Sequence, residues 1–162
     1  MPFLRSLPLL SLLLLAATGC AGPTDGTDTG ACSSGSYWTG GDEESPLMNP
    51  GQSCIACHDR GEGPTFTVAG TVMGDYGDVD DCDGVEGVTV RLTDADGAVH
   101  EATSNAAGNF YLNDAIAMPY TVELESDAGV STMSTAPTTG DCASCHTADG
   151  AEGAPGRVVA PF

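Results

Sequence analysis

Val88-Thr89-Val90-Arg91-Leu92-Thr93 alternates apolar with polar side chains and then runs into Asp94-Ala95-Asp96-Gly97. Val88, Val90 and Leu92 share one side of an extended chain, and Thr89, Arg91 and Thr93 share the other. That period of two is the mark of a half-buried strand, and the Asp-Gly pair behind it marks a turn. The same period precedes it in Phe66, Val68, Gly70 and Val72. It returns in Ala98 to Thr103 and in Tyr120, Val122 and Leu124, set against Thr121, Glu123 and Glu125. Asn105-Ala106-Ala107-Gly108 supplies another turn. Short strands at this spacing predict a mainly β chain: a single antiparallel β-sandwich of about seven strands over residues 66–134. On either side, 32–65 and 135–162 are broken repeatedly by Gly and Pro and read as loops, with Val158-Val159 a short terminal strand.

Each of those loop segments carries one copy of a pentapeptide. Cys54-Ile55-Ala56-Cys57-His58 lies before the strands and Cys142-Ala143-Ser144-Cys145-His146 after them. The spacing C-x-x-C-H is the attachment signature of a c-type haem. Two thiols two residues apart reach the two vinyl groups of one porphyrin, and the next residue supplies the axial imidazole. The expected cofactors are therefore two covalent haems, held by Cys54 and Cys57 and by Cys142 and Cys145, with His58 and His146 on the irons. Ser53 is placed to cap a short helix at the first motif. Local disulfides, a redox dithiol or one zinc site across the four cysteines remain as alternatives, though none requires a His after each pair.

His100 is the one histidine left over, and its strand position suits a solvent face. Both irons cannot then be bis-His. Met48 and Met133, in the loops leading into the two motifs, are the expected sixth ligands, and a Met/His iron favours electron transfer. Tyr37, Trp38, Phe66, Phe110 and Tyr111 are the aromatics on offer as haem walls.

Val68-Ala69-Gly70-Thr71-Val72, Gly87 to Leu92, the Asp96-Gly97 turn, Thr103 through Phe110 and Pro119-Tyr120-Thr121-Val122 resemble a carboxypeptidase regulatory-like β-sandwich, a transthyretin-like or Ig-like module. That resemblance implies architecture and no catalysis. The whole layout resembles a c-type cytochrome-like lipoprotein.

The N-terminus supports export. Arg5, an apolar run from Leu7 to Ala17, and Ala17-Thr18-Gly19-Cys20 form a signal peptide whose end resembles a lipobox. The resemblance implies cleavage before Cys20 and its lipidation, with Ala21 favouring the outer membrane. Residues 21–31 read as a flexible tether. Cys32 and Cys82 are then the unassigned thiols in an oxidising compartment and are expected as a disulfide.

The chain has four Arg or Lys against 23 Asp or Glu, a formal charge of −19. Such a surface repels nucleic acid and anionic membrane and suits a redox partner with a basic docking face. The acidic run from Asp75 to Gly84 lacks the closing acid of an EF-hand loop, which leaves calcium an open question. No G-x-S-x-G or H-E-x-x-H motif occurs, so an enzyme is not expected. Two function classes stand: a lipid-anchored dihaem electron carrier, or a structural or adhesive sandwich whose C-x-x-C pairs are disulfides or bind another metal.

Overall fold

The computed structural model describes residues 31–39 and 44–162. Cys20, the signal segment and all of the tether but Ala31 lie outside the described residues. The chain is mainly β, with seven strands in two sheets. They are β1 (Val68–Met73), β2 (Thr89–Thr93), β3 (Val99–Thr103), β4 (Asn109–Leu112), β5 (Thr121–Ser126), β6 (Gly129–Thr132) and β7 (Val158–Val159). One sheet has the order β4-β1-β7 and the other β3-β2-β5-β6. The arrangement is that of a sandwich whose sheets are not closed on each other. All pairs are antiparallel except β1 with β7, which run parallel.

Alternation places the core. Val68 and Val72 from β1, Phe110 and Leu112 from β4, Val90 and Leu92 from β2, and Leu124 from β5 meet between the sheets, with Val88 and Tyr120. Each apolar side chain so buried stabilises by about 1.5–3 kcal/mol. The turns fall where the sequence placed them, with Gly97 N–H donating to Asp94 O and Gly108 N–H to Asn105 O. Gly108 has a φ of 78°, and a Cβ there would lie 2.4 Å from Val72 O, so no other residue fits.

β1 departs from the half-buried pattern: all six of its residues are buried. The loop before the first motif covers its second face. Gly51 N–H donates to Thr71 Oγ1 at 2.9 Å, Thr71 Oγ1 donates to Asn109 Oδ1 at 2.7 Å, and Asn109 Nδ2 donates to Met48 O at 2.8 Å. The loop thus becomes a third layer. Cys32 and Cys82 are joined as a disulfide beside Met73 and Val79.

Arg157, 4% exposed, ties the two flanks together. Its Nε donates to Asp78 O at 2.7 Å and its Nη1 to Gly51 O at 2.8 Å, while Nη2 meets Asp80 Oδ1 at 2.5 Å. The residue just before β7 therefore holds the acidic loop and the approach to the first motif at once.

His100 is not a free surface histidine. Its Nε2 lies 3.3 Å from Asp94 Oδ2 and its Nδ1 3.3 Å from Asp114 Oδ2. Asp94 also accepts the backbone N–H groups of Asp96, Ala98 and Ala117. Burial by itself would lower the imidazole's pKa, but the two carboxylates outweigh it and hold it above its ordinary value.

Two tests follow from these contacts. A histidine whose folded pKa is raised contributes stability that is fully present below its unfolded pKa, about 6.5, and is lost as pH rises through the folded value. The melting temperature of His100→Gln should therefore fall furthest below the parent near about pH 5.5 and converge on it in alkaline buffer. A gap that stays constant with pH would show that the ring acts through packing alone. Arg157→Met, measured by urea unfolding, should lose about 3 kcal/mol, because two buried carbonyls lose a charged donor.

Candidate functional site

The two pentapeptides, far apart in the chain, meet at β1. Ser53 and Asp141 are the residues immediately before the two motifs. Ser53 Oγ donates to Asp141 Oδ2 at 2.6 Å across 88 residues of sequence. Ser53 also caps the helical turn α1 (Cys54–Cys57), its Oγ accepting the Ala56 N–H at 3.1 Å. The same hydroxyl thus starts the first motif's turn and binds the second motif. At the second motif, Cys142–Ser144 forms a 3-10 turn. Gly140 and Asp141 lead into it by running alongside β1, with Ala69 N–H donating to Gly140 O at 3.0 Å. Both turns pack against β1. Cys142 reaches the core edge at Gly70, where an added Cβ would come within 2.8 Å of the Cys142 Cβ.

The first cysteine of each motif is half-buried, and its Sγ donates to the carbonyl two residues earlier, Gln52 O and Gly140 O, both at 3.8 Å. Burial, then the charge of Asp141, pushes the Cys54 thiol up to about 11. Burial and Asp141, with Cys54 adding to them, push Cys142 up to about 12. Both are therefore held in the thiol form at neutral pH in the folded chain. Asp141 Oδ1 and Gln52 Oε1 are buried there without a hydrogen-bond partner among the described residues. Each such orphan costs about 1–3 kcal/mol unless a group from outside the chain satisfies it.

The two histidines are oriented alike by different loops. His58 Nδ1 lies 2.6 Å from Pro64 O, and His146 Nδ1 lies 2.8 Å from Gly156 O. A carbonyl only accepts, so in each ring Nδ1 carries the proton and Nε2 keeps its lone pair. This is the arrangement by which an outer partner fixes the tautomer of a metal-binding imidazole. His58 is boxed further. Its ring centroid lies 4.5 Å from that of Phe66, which in turn stacks on Tyr111 at 4.7 Å. On another side, a Cβ at Gly63 would fall 2.6 Å from His58 Cε1.

The remaining candidates are placed as follows. Cys54, Cys142 and Cys145 are free thiols, whereas Cys57 is disulfide-bonded. A sulfur in a disulfide cannot also form a thioether, so the second motif has both thiols at hand and the first does not until Cys57 is reduced. Met48 lies in the covering layer on β4. Met133 follows β6 in the opposite sheet, its N–H donating to Val122 O at 3.0 Å. Phe110 belongs to the core. Among the described residues no group of three His, Cys, Asp or Glu side chains converges as a metal site. A single shared zinc site therefore has no donor set there, whereas a haem brings its own four nitrogens and asks each motif for one imidazole. The donors of each pentapeptide fit that demand, with Cys57 as the exception stated. Beside the second pentapeptide lies a recess of about 10 Å³, lined by Gly51, Thr71, Cys142, His146 and Arg157, enough for one water.

Sequence reading did not find the Ser53–Asp141 bond or the two carbonyl partners. A signal was present for the carbonyls: Gly63-Pro64 follows the first motif and Pro155-Gly156 the second. No family model, no curated protein and no solved structure matches this chain.

Gly63→Ala should displace the His58 ring and break its bond to Pro64. Nitrogen-15 spectra of the imidazoles should change from one Nδ1–H tautomer to a mixture at His58 alone, with a stability cost of about 1 kcal/mol. An unchanged His58 signal would show that the loop moves instead of the ring.

Proposed function

We propose that this chain is an exported, lipid-anchored c-type protein that carries two haems and passes electrons to partners outside the cytoplasm. The observation that carries the reading is the shared state of His58 and His146. In the neutral ring each donates Nδ1–H to a backbone carbonyl and leaves Nε2 without a proton, directly after a C-x-x-C turn that packs against β1. When bound, a haem supplies a one-electron couple. The chain supplies attachment at Cys54, Cys57, Cys142 and Cys145, axial ligation at His58 and His146, and a rigid strand behind both. Met48 and Met133 remain the proposed sixth ligands.

A second reading, a structural or adhesive sandwich stapled by its cysteines, rests on the bonded state of Cys57 alone, since Cys54, Cys142 and Cys145 are free and neither C-x-x-C pair is closed on itself. Intact mass of the exported, acid-extracted protein separates the two. Two haem increments are expected. One increment, mapped to the peptide containing Cys142 and Cys145, would mean that Cys57 is oxidised in the mature protein and would reduce the carrier to a single haem. The mass of polypeptide and lipid alone would reject the haem reading and leave the stapled sandwich.

A further inference from the structure

A continuous ring contact runs from the first motif to the surface. His58 packs on Phe66, Phe66 stacks on Tyr111 with an interplanar angle of 26°, and Tyr111 is 43% exposed. Tyr111 also walls a hollow of about 300 Å³ with Pro46, Glu101, Thr103 and Asn105. The hollow lies where β3, the edge of one sheet, passes β4, the edge of the other. It is firmly built. Asn105 Nδ2 donates to Pro46 O at 2.7 Å, and Asn109 Nδ2 reaches the same carbonyl at 3.3 Å, so the covering loop is pinned along one side.

We infer that this hollow is the docking site for a basic redox protein, with Tyr111 as the central contact. The inference rests on the proposed electron-carrier function and locates its partner. Three observations favour that occupant. A protein seated on Tyr111 stands two ring contacts from the imidazole proposed to hold an iron. Glu101 on the rim is ion-paired to Arg91, which it shares with Glu123 and Glu125, so the hollow borders a cluster of three carboxylates around one guanidinium and a basic face is matched there. The chain's charge of −19 opposes a second copy of itself or an anionic membrane in the same place. An exposed, rigid tyrosine beside a hollow is also the kind of residue on which association energy concentrates. The alternative seat lies further across the outer side of the four-stranded sheet, centred on Arg91, Glu123 and Glu125, with Glu101 at the border between the two. That surface belongs to the other sheet from the one both motifs pack against.

The test uses a basic mitochondrial-type cytochrome c as the probe and the full chain made with and without haem maturation. Haem content is settled first by mass, so a failure of the electron-carrier reading is seen separately. Binding is then followed on the haem-free chain at low salt by amide shift mapping and titration. Perturbations are expected at Tyr111, Thr103 and Asn105. Tyr111→Ala should weaken binding about ten-fold and Tyr111→Phe by less than about two-fold. Thr103→Lys, an exposed rim position, should weaken it at low salt and lose that effect as salt rises. It remains informative if Tyr111→Ala fails to fold. In the loaded protein, the electron exchange rate with the probe should fall in parallel with affinity across these variants. A footprint centred on Arg91, Glu123 and Glu125 would overturn the assignment. So would unchanged affinity in both Tyr111→Ala and Thr103→Lys, or no binding of the probe at low salt.

Discussion

The guanidinium of Arg157 is the contact on which the rest of the structure depends. It is buried, and its partners come from two distant parts of the chain: the carbonyl that leads into the first motif, and the acidic loop after β1. A lysine could not replace it, since one ammonium cannot hold three separated acceptors in one plane. With Arg157 in place, β7 can lie parallel to β1, and the covering loop is fixed over β1's second face. The Ser53–Asp141 bond then joins the end of the covering loop to the segment that leads into the second motif. The candidate site is therefore assembled by packing around one strand and is not a property of either pentapeptide alone.

β1 accordingly does two jobs. One face belongs to the sandwich core, through Val68 and Val72. The other, through Thr71, anchors the loop that carries the first motif. Gly70 lets Cys142 approach the core edge, where a side chain would collide. The motifs stand on the most deeply buried strand in the molecule, which limits their motion relative to each other far more than their loop-like sequences suggest.

Most of the strands were legible because period two survives in the sequence wherever one face stays polar, whereas β4 and β6, four residues each, are too short to show it. Residues 89–93 and 121–125 were readable for that reason, and the two turns were marked by their own chemistry. The pentapeptides were legible as motifs because the spacing of three donors is local. What the sequence hid was long-range. Nothing in Ser53 or Asp141 announces a partner 88 residues away. Thr71 and Asn109 look like ordinary outward strand residues, yet they are buried under a third layer. His100 looked like a solvent-facing side chain because its two carboxylates arrive from different turns. The bonded state of Cys57 was equally invisible, since its chemistry depends on which sulfur comes near it.

The reach of Arg157 also sets an order of events in time. A ribosome makes the chain from its N-terminus at about 5–20 residues per second, so the 106 residues from Gly51 to Arg157 take roughly 5–20 seconds to appear. Throughout that interval β1 lacks its parallel neighbour and the first pentapeptide lacks the clamp that seats it. Cys54 is then without the seated loop and clamp that complete its burial, the larger cause of its raised pKa in the finished fold. The order of the chain thus sets the two motifs apart: the first ends 99 residues before the arginine that seats it, and the second only eleven.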